Sequence, residues 1–536
     1  MSDSRGVLIV GAGPTGLLLA CQLALRSVPF RIIDKADDHT TQSRALVVQA
    51  RSLEIFEQMG IAQEAIERGE RARAVGLIVN GRRVFELPVG TVGERLTAYP
   101  FLLMLEQSNT EAMLAALLDR LGHAVERKTE LLGLADGTDG VTATVRHGNG
   151  SEEVIKADWL VGADGAHSIV RQSLGIPFSG KTYEQSLFVL DCEVLPRLPR
   201  DVMYVVMSDQ AFTGFFPLTN GRSRVLGTVP PGLENRETMT FNDVAIGFEQ
   251  RVRMPVRLQN PAWISLYRSH HRVVSTFRSG YCFLAGDAAH IHSPVGAQGM
   301  NTGLQDACNL AWKLALVMQG RAEISLLDTY HEERIGIARR LVETTDRAFN
   351  YVNSQHPVLK AARLNVMPLI LPFVAPLVLR QRFLQETVFR TISQIGISYR
   401  DSVLSQEAPD ARFPRPAPRP GDRVPYVPPP GTFPGSGGLT TGTKLHLVHF
   451  SGAAAGIGPD HRAKQAVAGF DDLVDIQQVP LTGETEALYR AFGIDQTGFF
   501  LIRPDQYIAY RGVSVAPETL QPYLKTWLRS ARSRAS

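Results

Sequence analysis

The stretch GVLIVGAGPTGLLLA, residues 6–20, constrains this chain more than any other. Gly11, Gly13 and Gly16 have the spacing G-x-G-x-x-G, with an apolar run at 7–10 before them and a leucine-rich run at 17–25 after. That order predicts a buried strand, a tight turn and a helix. In such a turn the first glycine lets the chain reverse, the second lets backbone approach a pyrophosphate, and the third lets helix and strand pack closely. The phosphate then meets a helix N-terminus, here opened by Pro14 and Thr15. A second apolar strand ends at Asp34 and Lys35, about 20 residues on, where an acidic side chain accepts from ribose hydroxyls. The set predicts a dinucleotide site; the alternative is a plain glycine turn with Asp34 a solvated strand end.

The 536 residues, 44% of them hydrophobic, suffice for two to four domains at about 150 residues each. Lys and Arg number 56 against 53 Asp and Glu, with no run of five basic residues, so charge gives no case for nucleic acid and a small-molecule partner is expected. Cys21, Cys192, Cys282 and Cys308 lie far apart, without C-x-x-C or clustered histidines, which argues against a metal site and suits a reduced cytoplasmic interior. The N-terminus shows no export signal. Residues 364–379, LNVMPLILPFVAPLVL, are uncharged but shorter than the about 20 residues a bilayer needs. Pro368, Pro372 and Pro376 should break an interfacial helix, so a Pro-interrupted packing segment is expected here in preference to a membrane contact, and no membrane span.

Two later segments carry similar glycines. In ADWLVGADGAHSIVRQSLGI a strand ends at 161, a turn spans 162–165 and a helix begins near 168. In GYCFLAGDAAHIHSPVGAQGMN a strand at 281–285 meets Gly286-Asp287, and a glycine-rich loop at 294–301 leads into a helix at 302–318. Because ligands of open parallel sheets bind beyond the carboxyl ends of strands, the three loops are expected to share one crevice. Short β-rich runs between them read as an inserted sheet. The fold class is therefore α/β. A Rossmann-like nucleotide-binding domain is expected from 1–182 and 278–406, residues 75–100 lending strands to a β-sheet domain at 183–277. A Pro/Gly-rich linker at 407–438 leads to an α/β C-terminal domain at 439–536.

With these motifs in order, residues 5 to about 400 resemble the FAD-dependent aromatic hydroxylases, single-component flavoprotein monooxygenases of the p-hydroxybenzoate hydroxylase family. The resemblance implies FAD, its ADP half held by Gly11, Gly13, Pro14, Thr15, Gly16, Asp34 and Lys35, with Asp34 where many members carry Glu. It places Asp164 and Gly165, backed by Arg171, in the second motif, and Asp287 of Gly286-Asp287 on the ribityl chain with Gln107. Arg44 falls near the flavin, Pro294 beside its reactive edge, and the backbone N–H groups of Gly299, Met300 and Asn301 at its pyrimidine edge. Longer members carry a thioredoxin-like C-terminal domain; lacking cysteines, this one is expected to serve packing or oligomerisation, a homodimer included.

The family chemistry uses NADPH or NADH and O2 to hydroxylate a phenolic or polyketide-like aromatic through a flavin C4a-hydroperoxide, in a pocket kept dry. Oxidative ring opening, Baeyer–Villiger-type insertion, and a flavin- or substrate-binding module without turnover stay open. A halogenase is disfavoured, because W-x-W-x-I-P is absent and Trp159, Trp263, Trp312 and Trp527 are isolated. Tyr204, Phe212, Phe215 and Phe216 are candidates to line the substrate pocket with Pro294, though alternating aromatics on strands also describe a core. His290 and His292 suggest acid–base work or plain backbone hydrogen bonding; Arg222 and Arg224 read as hairpin charges.

Overall fold

In the computed structural model, residues 5–530 are described apart from 40–44, 234–235, 237, 294–295, 355, 430–436 and 454–460. The first apolar run forms the strand Val7–Val10, which pairs in parallel with Phe30–Ile33 on one side and Trp159–Gly162 on the other. Cys282–Leu284 adds in parallel beyond Trp159–Gly162, and Arg278–Ser279 closes the edge of the five-stranded sheet. Strands buried on both faces read as unbroken apolar runs, which is why residues 7–10 lack alternation. The helix Pro14–Ala24 packs against Gln107–Arg120 and the long helix Gly299–Met318.

The inserted sheet is larger than expected. Its eight strands run in the order His290–Ile291, Arg257–Val274, Phe178–Leu195, Ser223–Thr228, Phe212–Pro217, Val202–Met207, Ala74–Val79 and Arg82–Leu87. Residues near 75–87 thus complete it, and it begins at Phe178 rather than 183. Side chains alternate between two faces. One face, with Leu190, Tyr204, Phe215 and Val225, is covered by the helices Phe241–Ala245 and Phe248–Val252. The other carries Leu187, Val189, Phe216, Leu226 and Trp263 and meets Phe349 of the helix Asp328–Asn353.

Two expectations require correction. The proline-rich segment is irregular but is not a free linker: Gln406–Glu407 pairs with the C-terminal strand Ile508–Gly512, Gly421 N–H donates to Ile508 O (2.7 Å), and Val424 and Val427 are buried. Its prolines leave few donors unsatisfied, so it can lie along a sheet without joining it. Residues 364–379, expected to be a Pro-interrupted packing segment, include the helix Met367–Arg380, with Leu369, Ile370, Phe373 and Leu377 exposed. Pro368 follows directly on a π-helical stretch, Ala362–Val366, that continues the helix Pro357–Ala361, so the ring and its missing donor fall where the ladder has already left its regular i→i−4 pattern. Pro372 is exposed within the helix.

The C-terminal region forms a five-stranded sheet ordered Gln406–Glu407, Ile508–Gly512, Gly498–Ile502, Leu445–Gly452 and Val474–Pro480. The strands Leu445–Gly452 and Val474–Pro480 are parallel, and the others along the chain to Ile508–Gly512 antiparallel. Trp312 and Leu316 of the long helix join this unit's core, so it is docked on the back of the nucleotide domain. All four cysteines are buried free thiols.

Candidate active site

The three glycine loops end adjacent parallel strands and touch one another. Gly11 adopts φ +102°, and a Cβ there would lie 2.4 Å from Ala163 O in the second loop. A Cβ on Gly16 would lie 2.0 Å from Gly11 O, so both positions require glycine on packing grounds alone. Gly286, at φ +61°, and Gly303 each abut Thr15 Oγ1, at 2.6 and 2.4 Å from where a Cβ would stand. Thr15 is therefore the contact between first and third loops. Gly13 differs: among the described residues beyond its chain neighbours, nothing lies within 4 Å of its Cβ position, which leaves open space at the loop.

That space faces a helix start with no side-chain cap. Leu17 N–H is bonded to Gly13 O (2.9 Å), and the N–H groups of Thr15 and Gly16 precede this first intrahelical bond. Asp34 stands beside them, its Oδ2 accepting from Ala12 N–H (2.6 Å) and Oδ1 from Ala36 N–H (2.8 Å); Lys35 is exposed next to it. Asp164 caps the helix Ile169–Ser173 through Ile169 N–H (2.7 Å). Arg171 then bridges loops two and three, donating to Ala166 O (2.9 Å) and Ala288 O (3.0 Å) while lying 4.0 Å over Phe178. Asp287 is exposed at the strand end. An anion-favouring helix start, an open glycine and an acid at the neighbouring strand end fit the pyrophosphate and ribose of FAD.

The long helix begins earlier than its sequence suggests, at Gly299, after left-handed residues at Gly296 and Ala297. Its start also lacks a side-chain cap, and Thr302 N–H to Gln298 O (2.9 Å) is the first intrahelical bond, so Gly299, Met300 and Asn301 offer backbone donors. The Asn301 side chain has a structural use. Its Oδ1 accepts from Gln49 N–H (2.9 Å) and Ser52 Oγ (2.8 Å), and its Nδ2 donates to Val47 O (2.8 Å). Gln107 is the first residue of the helix Gln107–Arg120 and accepts from Ala45 N–H (3.2 Å).

Across the crevice the inserted sheet presents Phe216, Arg224, Asp191 and Trp263 as cross-strand neighbours in one row. Arg224 donates to both carboxylate oxygens of Asp191 (2.8 and 2.7 Å), and Trp263 Nε1–H donates to Oδ2 (2.8 Å). Phe216 also packs near Ala297, Leu46 and Ile392, so this face looks toward the flavin loops. Glu106 lies 3.7 Å from Arg224, its carboxyl raised above the usual range by burial.

The FAD binding domain family matches residues 5–345. The chain belongs to the FAD-dependent aromatic hydroxylases. It is 35% identical over 534 residues to a 6-methylpretetramide 4-monooxygenase of Streptomyces rimosus, covering 98% of this chain and 94% of that one. Among solved structures, an anhydrotetracycline hydroxylase of Streptomyces rimosus is similar at a TM-score of 0.75 and 27% identity over 98% of this chain and 99% of the other. Aklavinone-11 hydroxylase, solved with FAD and aklavinone, is similar at 0.78 and 25% over 98% and 99%.

In this hydroxylase the structure brings together Gly11, Gly13, Thr15, Gly16, Asp34, Gln107, Asp164, Gly286, Asp287 and Gly299 through Asn301. Arg44 and Pro294 fall outside the described residues. Tyr204 and Phe215 are placed away from the crevice: they are 6% and 1% exposed in the core beneath the two short helices. Phe212 packs toward Met207 and Met367, leaving Phe216 as the aromatic directed to the flavin side. Alternation put Phe215 and Phe216 on opposite faces without telling which face the cofactor takes.

Sequence reasoning missed the support behind the third motif. Asp306, fully buried, accepts from Gly286 N–H (3.0 Å), His290 Nε2–H (2.7 Å) and Arg334 Nε–H (2.6 Å). Burial opposes its charge, yet Arg334 and His290 hold its carboxyl below the usual range. A lone acid in the apolar run DACNLAWKLALVM was the available signal, since buried charges need partners. His290 is thereby occupied in positioning Gly286.

His292 donates Nδ1–H to Ser293 O (2.7 Å), and burial lowers its pKa from 6.5 to about 4. It is neutral at pH 7. Between those two values the unfolded chain binds a proton that the folded one does not, so stability falls as pH drops from 6.5 toward 4. The variant His292→Asn, which keeps a donor to Ser293, should show a shallower acid limb in denaturant midpoints measured across that range. Identical limbs would refute this assignment.

Proposed function

We propose that this flavoprotein hydroxylates a fused-ring phenolic of the polyketide kind, with O2 and with NADPH or NADH as hydride donor. The observation that carries this reading is the row Phe216, Arg224, Asp191 and Trp263, an apolar surface with one clamped guanidinium, set opposite the Gly296–Asn301 turn. Bound FAD supplies hydride acceptance and O2 activation. The chain's own part is orientation, charge stabilisation and exclusion of water. Backbone N–H groups at Gly299, Met300 and Asn301 favour negative charge on the flavin's pyrimidine edge. Arg224, buried and held by both oxygens of Asp191 with Nη1 toward Ala45 O (3.5 Å), fixes the position of Asp191 and Trp263 and with it the shape of this face. The aromatic polyketide substrates named for the relatives support this class of acceptor. The C-terminal unit reads as a thioredoxin-like module without cysteines, used as a docked structural part.

With a responsive polycyclic phenol in hand, purified holoenzyme should consume NAD(P)H faster on its addition and release a product one oxygen heavier. Arg224→Lys should raise KM for that phenol by about tenfold or more, because a point charge cannot keep the bidentate clamp, with flavin content unchanged. Nicotinamide oxidation yielding only hydrogen peroxide across fused-ring phenols would refute hydroxylation. Failure of either nicotinamide to reduce the flavin would favour a binding module.

A further inference from the structure

The helices that follow the long Asp328–Asn353 helix carry an uncovered apolar surface. On Met367–Arg380, Leu369, Ile370, Phe373 and Leu377 form one exposed stripe, and Phe383 and Leu384 continue it on Arg382–Ile392. Phe373 and Phe383 are 77% and 78% exposed. Contiguous apolar patches of this kind on a folded protein mark an interaction surface.

Charge decides what covers it. Between Asp346 and Glu386 the chain has no acidic residue and five basic ones, Arg347, Lys360, Arg363, Arg380 and Arg382. Arg380 and Arg382 are exposed at the end of the stripe, and Arg82 and Arg83 lie on the strand against which Met367–Arg380 packs. The nearby acids are paired: Glu386 with Arg382 (2.8 Å) and Glu86 with Arg83. A two-fold dimer through this patch would set a basic rim against its own copy. An anionic lipid surface matches both features, apolar side chains entering the acyl boundary and basic ones meeting phosphates.

The segment can lie on a bilayer but not cross it. Leu364, Met367 and Leu371 are packed on Val79, Val84 and Met207 of the inserted sheet, and the Arg363 guanidinium is buried on Tyr351 O and Ser354 O. Only the outer stripe is available. We propose that this face docks the enzyme on anionic phospholipid bilayers. Flanking the run, Phe349 on the preceding helix and Ile392 at the end of the following one pack on the sheet face that carries Phe216 and Trp263, so docking brings that face toward the lipid.

The test is co-sedimentation of full-length holoenzyme with vesicles of phosphatidylglycerol and phosphatidylcholine, against phosphatidylcholine alone. Binding is expected to the anionic vesicles, weakened by salt, and reduced about tenfold or more by Phe373→Asp with Leu377→Asp. These exposed positions should tolerate the change, which flavin content and melting temperature will show. A holoenzyme that stays in the supernatant with both vesicles overturns the proposal. So does a dimer in solution that the same substitutions split, without vesicle binding, since the patch would then belong to a second copy.

Discussion

Gly13→Val is expected to abolish FAD binding while leaving the apoprotein folded. Gly13 has extended backbone, φ −74° and ψ −176°, that any residue adopts, and among the described residues beyond its chain neighbours nothing lies within 4 Å of its Cβ position. A side chain there would fill the open space at this helix start, where we propose that the pyrophosphate lies. Losing that contact should remove about 4 kcal/mol of binding, roughly a thousandfold in affinity. Gly16→Ala should act differently, because its Cβ would stand 2.0 Å from Gly11 O, which is backbone and cannot swing aside. Overpacking of that kind should destabilise the apoprotein itself by about 3 kcal/mol. Flavin absorbance of the purified variants, with thermal melts of their apo forms, separates the two. A Gly13→Val protein that is yellow, or an apo form that melts as low as Gly16→Ala, would refute the assignment.

The second large effect is expected far from the flavin. Glu333 accepts from both Arg503 terminal nitrogens (2.6 and 2.9 Å), Lys313 Nζ (2.8 Å), Asn309 Nδ2 (2.7 Å) and Ser402 Oγ (2.7 Å), all buried where the C-terminal unit meets the nucleotide domain. Glu333→Ala would leave the buried Lys313 ammonium without its carboxylate and Arg503 with Asp505 alone, and should cost about 3–5 kcal/mol. Arg529 and Glu323 also join the two units, at 2.6 Å, but both are about half exposed. Arg529→Ala should therefore cost far less, because solvent screens an exposed pair. Burial pushes the Glu333 carboxyl up, but Arg503 and Lys313 outweigh it and hold it well below 4.5. Its contribution is thus intact above pH 4.5 and is lost as pH falls toward the depressed value. Denaturant midpoints of the two variants at neutral pH check this directly; equal losses would show that burial does not control the pair.

Behind both effects lies a difference in what each residue depends on. The demands on Gly11, Gly16 and Gly286 are local, a left-handed φ or a close approach, so glycine spacing announced the crevice. Asp306 and Arg334 are 28 positions apart and meet because two helices pack, which no spacing rule encodes. Phe215 and Phe216 are neighbours in sequence, and period-two alternation separates them without naming the face that meets the cofactor. The run at 364–379 was legible as apolar, and apolar runs are normally covered. Whether they are covered is a property of the neighbours.

By itself the sequence determined the nucleotide fold, the three strand-end loops and the order of strands and helices after the proline-rich stretch, because turn geometry and hydrophobic period act over a few residues. Tertiary structure alone decided which sheet face meets the Gly296–Asn301 turn, which buried charges hold Gly286 and the C-terminal unit, and that the Met367–Arg380 stripe faces outward. Those outcomes depend on which surfaces remain for one another once the local elements have formed, and packing fixes them between residues far apart in the chain.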